Sequence, residues 1–276
     1  MAHLSSAVSA PLSVIDVEQK ETEWLLREKE RKLEQVQMQL LLYAQDLAQM
    51  NLQREKAFDS ALDVLMAALD LRDTETEGHS RRVAEYTTYL AQQAGLSGNQ
   101  LAIIERGALL HDIGKIGISD SILRKPGKLT PEEWEQMKQH TLWGYRMVLR
   151  MPFLNEEVAR IVLHHHERFD GKGYPYGLAG DQICLGARFF AIADTFDAIT
   201  SNRPYRRAAP YEVARAEIEK GAGSQFDPDI VDVFLQIPER EWTLIRERVS
   251  AQYPESIWAW KQSPIYLEAQ PAVAAL

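Results

Sequence analysis

Cysteine is almost missing from this chain. Cys184 is the single one in 276 residues, so no internal disulfide can form, and a Cys-ligated structural zinc site is argued against. That usage fits a reducing compartment, and the expected location is cytoplasmic. Positive charge is also short: the formal net charge is −9. Binding to a nucleic-acid polymer is therefore not expected, and an anionic ligand would need a local basic or metal site. No long uncharged apolar run occurs, and the first residues lack the basic-then-apolar order of a signal peptide, so no membrane association is expected. Sustained two-residue alternation is missing as well, which argues against a sheet. Glycine and proline are missing from residues 21–77, so nothing there interrupts a helix.

What fills that uninterrupted stretch is a narrow apolar stripe. Leu26, Leu33, Val36, Leu40, Tyr43, Leu47, Met50 and Ala57 recur mostly in steps of three and four, with Glu, Lys, Arg and Gln between them. This spacing predicts a coiled coil over residues 21–57, most simply a parallel homodimer, with Lys29 and Arg54 loosening the seam. The alternative is a long amphipathic helix packed on its own domain. Before it, residues 1–20 are small and polar and read as a flexible leader. After it, residues 58–250 read as helix after helix. "TPEEWEQMKQH" is a start signal, with Thr130 as N-cap, Pro131 at the first helical position and Glu133 completing a capping box. Gly95 and Gly114 mark helix ends. The long irregular stretch "ERFDGKGYPYGLAGDQI" is of the kind that carries function in a compact helical domain. Residues 251–276 form a tail with Trp258 and Trp260. The predicted class is all-α.

Histidine is where the chain is unusual. Six of seven histidines fall between positions 79 and 166. Leu101, Ile104, Ala108 and His111 share one helix face, so His111 and its neighbour Asp112 stand where a core should be. His79 opens a helix, His140 lies on the one capped by Thr130, and His165 follows Val158, Ile161 and Val162 on an inward face. Asp194 and Asp197 share one side of the apolar "GARFFAIADTFDAIT". A buried carboxylate is costly unless paired or bound to a metal. One inward histidine is ordinary; several helices each delivering one is hard to explain by packing. Imidazole with carboxylate suits zinc, manganese or iron rather than magnesium or calcium. Such a set can bind two ions, generate hydroxide and clamp a phosphoryl group.

These motifs resemble a known family. His111-Asp112 followed by Gly114 and Lys115 resembles the HD phosphohydrolase signature. "HHERFDGKGYP" resembles the second signature of the HD-GYP branch, with Gly173-Tyr174-Pro175 as its triplet, and "ADTFDAITSNRPYR" and "GSQFDPDIVDVF" are similar to it too. The resemblance spans about residues 58–240 and implies an HD-type helical bundle preceded by the long coiled-coil helix. It implies a metal-dependent phosphodiesterase acting on the bacterial messenger cyclic di-GMP, in which a metal-bridging hydroxide gives linear pGpG, with a second cut to GMP left open.

The implied metal ligands are His79, His111, Asp112, His140, His165, His166 and Asp194. Glu75, four residues before His79, matches a glutamate that goes with a third ion, and iron or manganese is the expected metal. His164 is expected to stand behind the ligands or at the surface. Lys115 and Asp112 are the implied catalytic residues. Lys115 would touch a phosphate, Asp197 a guanine edge, and Arg203 and Arg206 guanine or phosphate, while Tyr174 shapes the site. Thr141 and Cys184 stand where the family often has proline, which puts only local backbone geometry in question. Two alternatives stay open: an HD hydrolase of another cyclic dinucleotide, and a non-hydrolytic binding module that signals through the coiled coil.

Overall fold

The computed structural model describes residues 14–73, 78–202 and 207–252. It divides into two units, residues 1–61 and 62–276. Helix α1, Val14–Arg72, is 59 residues long and runs through the boundary. It begins seven residues before the expected end of the leader, so 14–20 are helical; residues 1–13 lie outside the described part. Within the first unit the helix is wet on all sides. Leu33, Val36, Leu40, Tyr43, Leu47 and Met50 are all exposed, held in a helix by propensity and by surface pairs such as Glu23–Arg27 at i, i+4. An exposed stripe of this length is unusual on a monomer.

The second unit starts where α1 stops being wet. Leu62, Met66 and Leu69 are buried. There follow α2 (His79–Gln93), α3 (Asn99–Leu109), a 3-10 turn at Ile113–Gly117, the short α4 (Asp120–Leu123), α5 (Pro131–Val148), α6 (Glu156–His164), α7 (Leu185–Thr200), α8 (Tyr211–Lys220), α9 (Pro228–Gln236) and α10 (Glu239–Gln252). No strand occurs among the described residues; two isolated bridges are the only β pairing there. The α5 start signal is as read: the Thr130 hydroxyl accepts from the Glu133 amide, and the Glu133 carboxylate accepts from the Thr130 amide. Gly95, at φ 93°, ends α2.

Helix α7 is the spine. It packs on α2, α3, α6, α8 and α9. Its outer turns build an aromatic cluster in which Phe196 meets Tyr86, Phe234 and Trp242 at 5.0–5.7 Å between ring centroids. Each such fully buried ring contributes about 1.5–3 kcal/mol of burial free energy. Asp194 and Asp197 flank Phe196 on the same turn of α7, so one turn carries both core and polar groups. Among the described residues no helix is long and apolar enough to cross a membrane.

Candidate metal and catalytic site

Four local features bring the site together. Helix α3 ends at Leu109, and the chain turns tightly through His111 and Asp112 into the 3-10 turn. That turn packs on α5. Gly114 makes the approach possible: a Cβ there would stand 1.9 Å from the carbonyl oxygen of His140. The "HD" pair and His140 are thus neighbours because one residue between them has no side chain. Helix α6 ends at His164, placing His165 and His166 at its C-terminus. Helix α7 brings Asp194 opposite His79 at the start of α2.

The outcome is a continuous cluster with Asp112 at its centre. Asp112, His140, His165 and His166 each offer a donor atom, and these atoms all lie within 4.8 Å of one another. Asp112 Oδ1 is 3.4 Å from His140 Nε2 and 3.8 Å from His165 Nε2. On its other side, Asp112 Oδ2 is 3.0 Å from His111 Nε2 and 2.7 Å from Lys115 Nζ. Next to His111 stands His79, with ring centroids 5.6 Å apart, and His79 Nε2 is 3.4 Å from Asp194 Oδ1. Phe190 forms an apolar floor beneath His111 and His165.

Hydrogen bonds decide which nitrogen of each ring is free. Nδ1 of His111, His140 and His165 lies 2.7–2.8 Å from the carbonyl three residues earlier, those of Ala108, Met137 and Val162. A carbonyl only accepts, so each Nδ1 donates, and in the neutral ring Nε2 keeps the lone pair that faces the cluster. Two of these carbonyls belong to last helical turns, which lack intrahelical partners. The same ring therefore caps a helix and aims a ligand atom. Nδ1 of His79 donates instead to Asp197 at 2.8 Å, the carboxylate–histidine arrangement that orients metal ligands. Burial pushes the pKa of His140 down, and burial with neighbouring imidazoles pushes His165 and His166 well down, so these rings are neutral donors at neutral pH. Asp112 goes the other way: burial opposes its charge, but His111 and Lys115 outweigh that and hold it well below the usual carboxylate range.

One atom tests whether ions fit. Asp112 Oδ1 is buried and, among the described residues, has no hydrogen-bond partner, while the nitrogens around it are aimed lone pairs. A buried anionic oxygen in that setting costs several kcal/mol unless a cation fills the gap. The donor set of Asp112, His140, His165 and His166 fits a transition-metal ion.

Other expected residues fall differently. Lys115 is in place. Tyr174 lies over His166, with ring centroids 4.6 Å apart and planes 30° apart. The "GYP" loop holds it there: Gly173 doubles back so tightly that a Cβ would stand 2.4 Å from the Arg168 nitrogen, and Glu167 accepts from the amides of Tyr176 and Leu178. Asp197 is a correction. It is fully buried, and its oxygens accept from His79, from Arg82 Nε and Nη2, and from the Ser201 hydroxyl. No oxygen is left to face a guanine, so Asp197 orients His79 instead. Glu75, Arg203 and Arg206 lie outside the described residues. The sequence reading gave no role to Arg82, Glu167, Arg72 or Asp73. Glu167 was visible inside "HHERFDGKGYP", but its partners lie along the loop and no helical spacing points to them.

Comparison with known proteins agrees with this architecture. A family model described as an HD domain matches residues 63–230. The chain belongs to the HD domain family. This HD domain is 45% identical over 189 residues to a Thermotoga maritima protein named cyclic di-GMP phosphodiesterase, covering 68% of the chain and 51% of that protein. It is 40% identical over 199 residues to the Vibrio cholerae 3'3'-cGAMP-specific phosphodiesterase 3, covering 68% and 43%. The chain spans about half the length of the curated relatives it matches. Among solved structures, a cyclic GMP-AMP specific phosphodiesterase of V. cholerae superposes with a TM-score of 0.56 at 21% identity, covering 68% of this chain and 52% of that one, and shares the fold.

Two departures from the usual HD-GYP pattern now have a setting. The Thr141 hydroxyl donates to the Lys138 carbonyl inside α5. The Cys184 amide, which a proline would lack, donates to His164 Nδ1 at 3.3 Å. His164 therefore holds the opposite tautomer from the cluster rings, and its Nδ1 is already taken. Burial, then Arg160, lowers its pKa from 6.5 to about 4. Its charged form is disfavoured in the fold, so this contribution to stability is complete above pH 6.5 and is lost as pH falls toward 4. Urea unfolding of the metal-free protein is expected to show this slope together with that of His140, His165 and His166, and His164→Gln is expected to make it shallower. An identical slope in the variant would remove His164 as one of its sources.

Proposed function

We propose that this chain is the catalytic HD domain, with its signalling helix, of a bacterial phosphodiesterase that hydrolyses cyclic di-GMP to linear pGpG, with a second cut to GMP. The observation that carries this reading is the buried, unpartnered Oδ1 of Asp112 amid Nε2 lone pairs. The relatives' activities lend it a substrate class.

His79, His111, Asp112 and Asp194 would hold one ion, and Asp112, His140, His165 and His166 another, with Glu75 reaching a third; iron or manganese is the proposed identity. When bound, such ions supply an activated water at neutral pH and neutralise charge on a phosphoryl group. The chain's own residues supply the rest. The Lys115 ammonium, 12% exposed, would take up charge that grows on the phosphate oxygens in the transition state. Tyr174 walls the cluster on the His166 side. Arg203 and Arg206 would bind guanine or phosphate through their planar forks. Asp197 keeps His79 in the tautomer that presents Nε2. A mixed cyclic dinucleotide is the second reading, favoured by the identity with the 3'3'-cGAMP-specific enzyme; competition between the two substrates separates them.

The exposed seam of α1 supports a homodimer formed through a coiled coil over residues 21–57. The proposed location is the cytoplasm.

Two experiments test these proposals. Protein purified without oxygen and supplied with Fe(II) or Mn(II) is expected to convert cyclic di-GMP to pGpG or GMP, with Asp112→Ala at least a thousandfold slower. Tight binding with no product under either metal would instead favour a signalling module without turnover. Replacing both Leu40 and Leu47 with Asp is expected to halve the mass seen by light scattering, and an unchanged dimer mass would refute the seam.

A further inference from the structure

The site reading leaves the end of α1 without a role, yet its last residues grip the turn that carries Asp112 and Lys115. Arg72 spreads its guanidinium across that turn. Nη1 donates to the carbonyls of Lys115 at 3.1 Å and Ile116 at 2.8 Å, and Nη2 donates to the carbonyl of Ile118. Nε donates to Asp120 at 2.9 Å. Asp120 is mostly exposed, so that pair contributes little by itself; the carbonyl contacts are the substantive ones. The Lys115 carbonyl also accepts from the Ile118 amide at 3.0 Å, and a five-donor planar fork can serve several carbonyls of the turn at once. One residue on, the Asp73 carboxylate accepts from Lys115 Nζ at 2.7 Å. Asp73 is itself buried, and its amide continues the α1 ladder to the Leu69 carbonyl. Met66 and Leu69, both buried, seat this last turn in the core.

We propose that Arg72 and Asp73 are positioning residues for the phosphodiesterase reaction: Arg72 fixes the backbone of the Lys115 turn, and Asp73 fixes the Lys115 ammonium. The inference rests on the phosphate role given to Lys115 above. A lysine head on a four-carbon stem stabilises a transition state only if it is held where charge develops. Asp112 also touches Lys115, but Asp112 is the residue that the ions would share. Among the described residues, Asp73 is the other carboxylate within hydrogen-bond reach of that ammonium. Both holds come from adjacent residues at the end of α1 and just beyond it.

The test uses the full chain with Arg72→Ala, Arg72→Lys, Asp73→Asn and Asp73→Glu. It reads steady-state hydrolysis of cyclic di-GMP with Mn(II), together with hydrogen exchange across residues 113–118 in the metal-free protein. Arg72→Lys keeps the charge and loses the fork. It is expected to behave like Arg72→Ala, with exchange at least tenfold faster in the turn, kcat at least tenfold lower and KM within threefold. Asp73→Asn is expected to lower kcat to a similar degree with exchange unchanged, and Asp73→Glu to recover part of it. A fall confined to kcat marks an interaction used in the transition state rather than in substrate binding. Wild-type exchange and kcat in Arg72→Lys, or wild-type kcat in Asp73→Asn, would overturn the proposal. If the wild-type protein itself does not turn over cyclic di-GMP, the substrate reading fails alone, and the exchange comparison still upholds or overturns the hold by Arg72.

Discussion

A carboxylate buried at the meeting point of three helix ends must be compensated, and the arrangement around Asp112 follows from that requirement. One of its oxygens has His111 and Lys115 within 3.0 Å. The other faces His140 and His165 and has no hydrogen-bond partner among the described residues. Two different kinds of compensation are thus provided for one group. The Lys115 ammonium takes one side, and a ring of neutral nitrogen donors takes the other. A purely structural ion pair would have no use for the second side, because neutral imidazoles with their protons turned away cannot stabilise an anion. A cation lodged between them can.

The rings depend on the same economy of backbone. His111 and His165 sit at helix ends, where carbonyls lack partners, and each donates Nδ1 to one of them. Helix termination and ligand orientation are one interaction. Close approach does the remaining work. Gly114 lets the Asp112 turn touch the backbone of His140, and Gly173 lets the loop fold back so that Tyr174 covers His166. Between Asp194 and Asp197 on α7, Phe196 packs among Tyr86, Phe234 and Trp242 and supplies the apolar anchorage that a polar cluster cannot supply for itself.

What could be read in advance followed from periodicity. The helix faces that carry His111 and His165, the Thr130 capping box and the all-helical class all show in local spacing, because a helix repeats within four residues. Contacts that depend on distant pairs did not show. The family resemblance implied that Asp197 faces a guanine, and its spacing from Asp194 puts both on one side of the helix. The structure instead gives it to His79 and Arg82, more than a hundred residues away in sequence. Three residues along a helix is about 300° of turn, enough for one carboxylate to face the cluster and the next to be sealed behind it. Arg72 and Asp73 were given no role. Nothing in their spacing announces that the turn at 113–118 comes back to them. The boundary of α1 is a milder case. Val14–Lys20 are helical although small polar residues and a nearby proline suggested a loose leader, and Pro11 precedes the first helical turn, where proline does no harm.

The central claim is that Asp112 is shared between two sets of donors. Anomalous diffraction from crystals grown with Mn(II) tests it most directly. The account requires at least two peaks about 3.5–4 Å apart, the separation of two-metal sites, with the Asp112 carboxylate between them, His140, His165 and His166 on one, and His79 and Asp194 on the other. A single peak on one side of Asp112, or none in contact with it, would contradict the account.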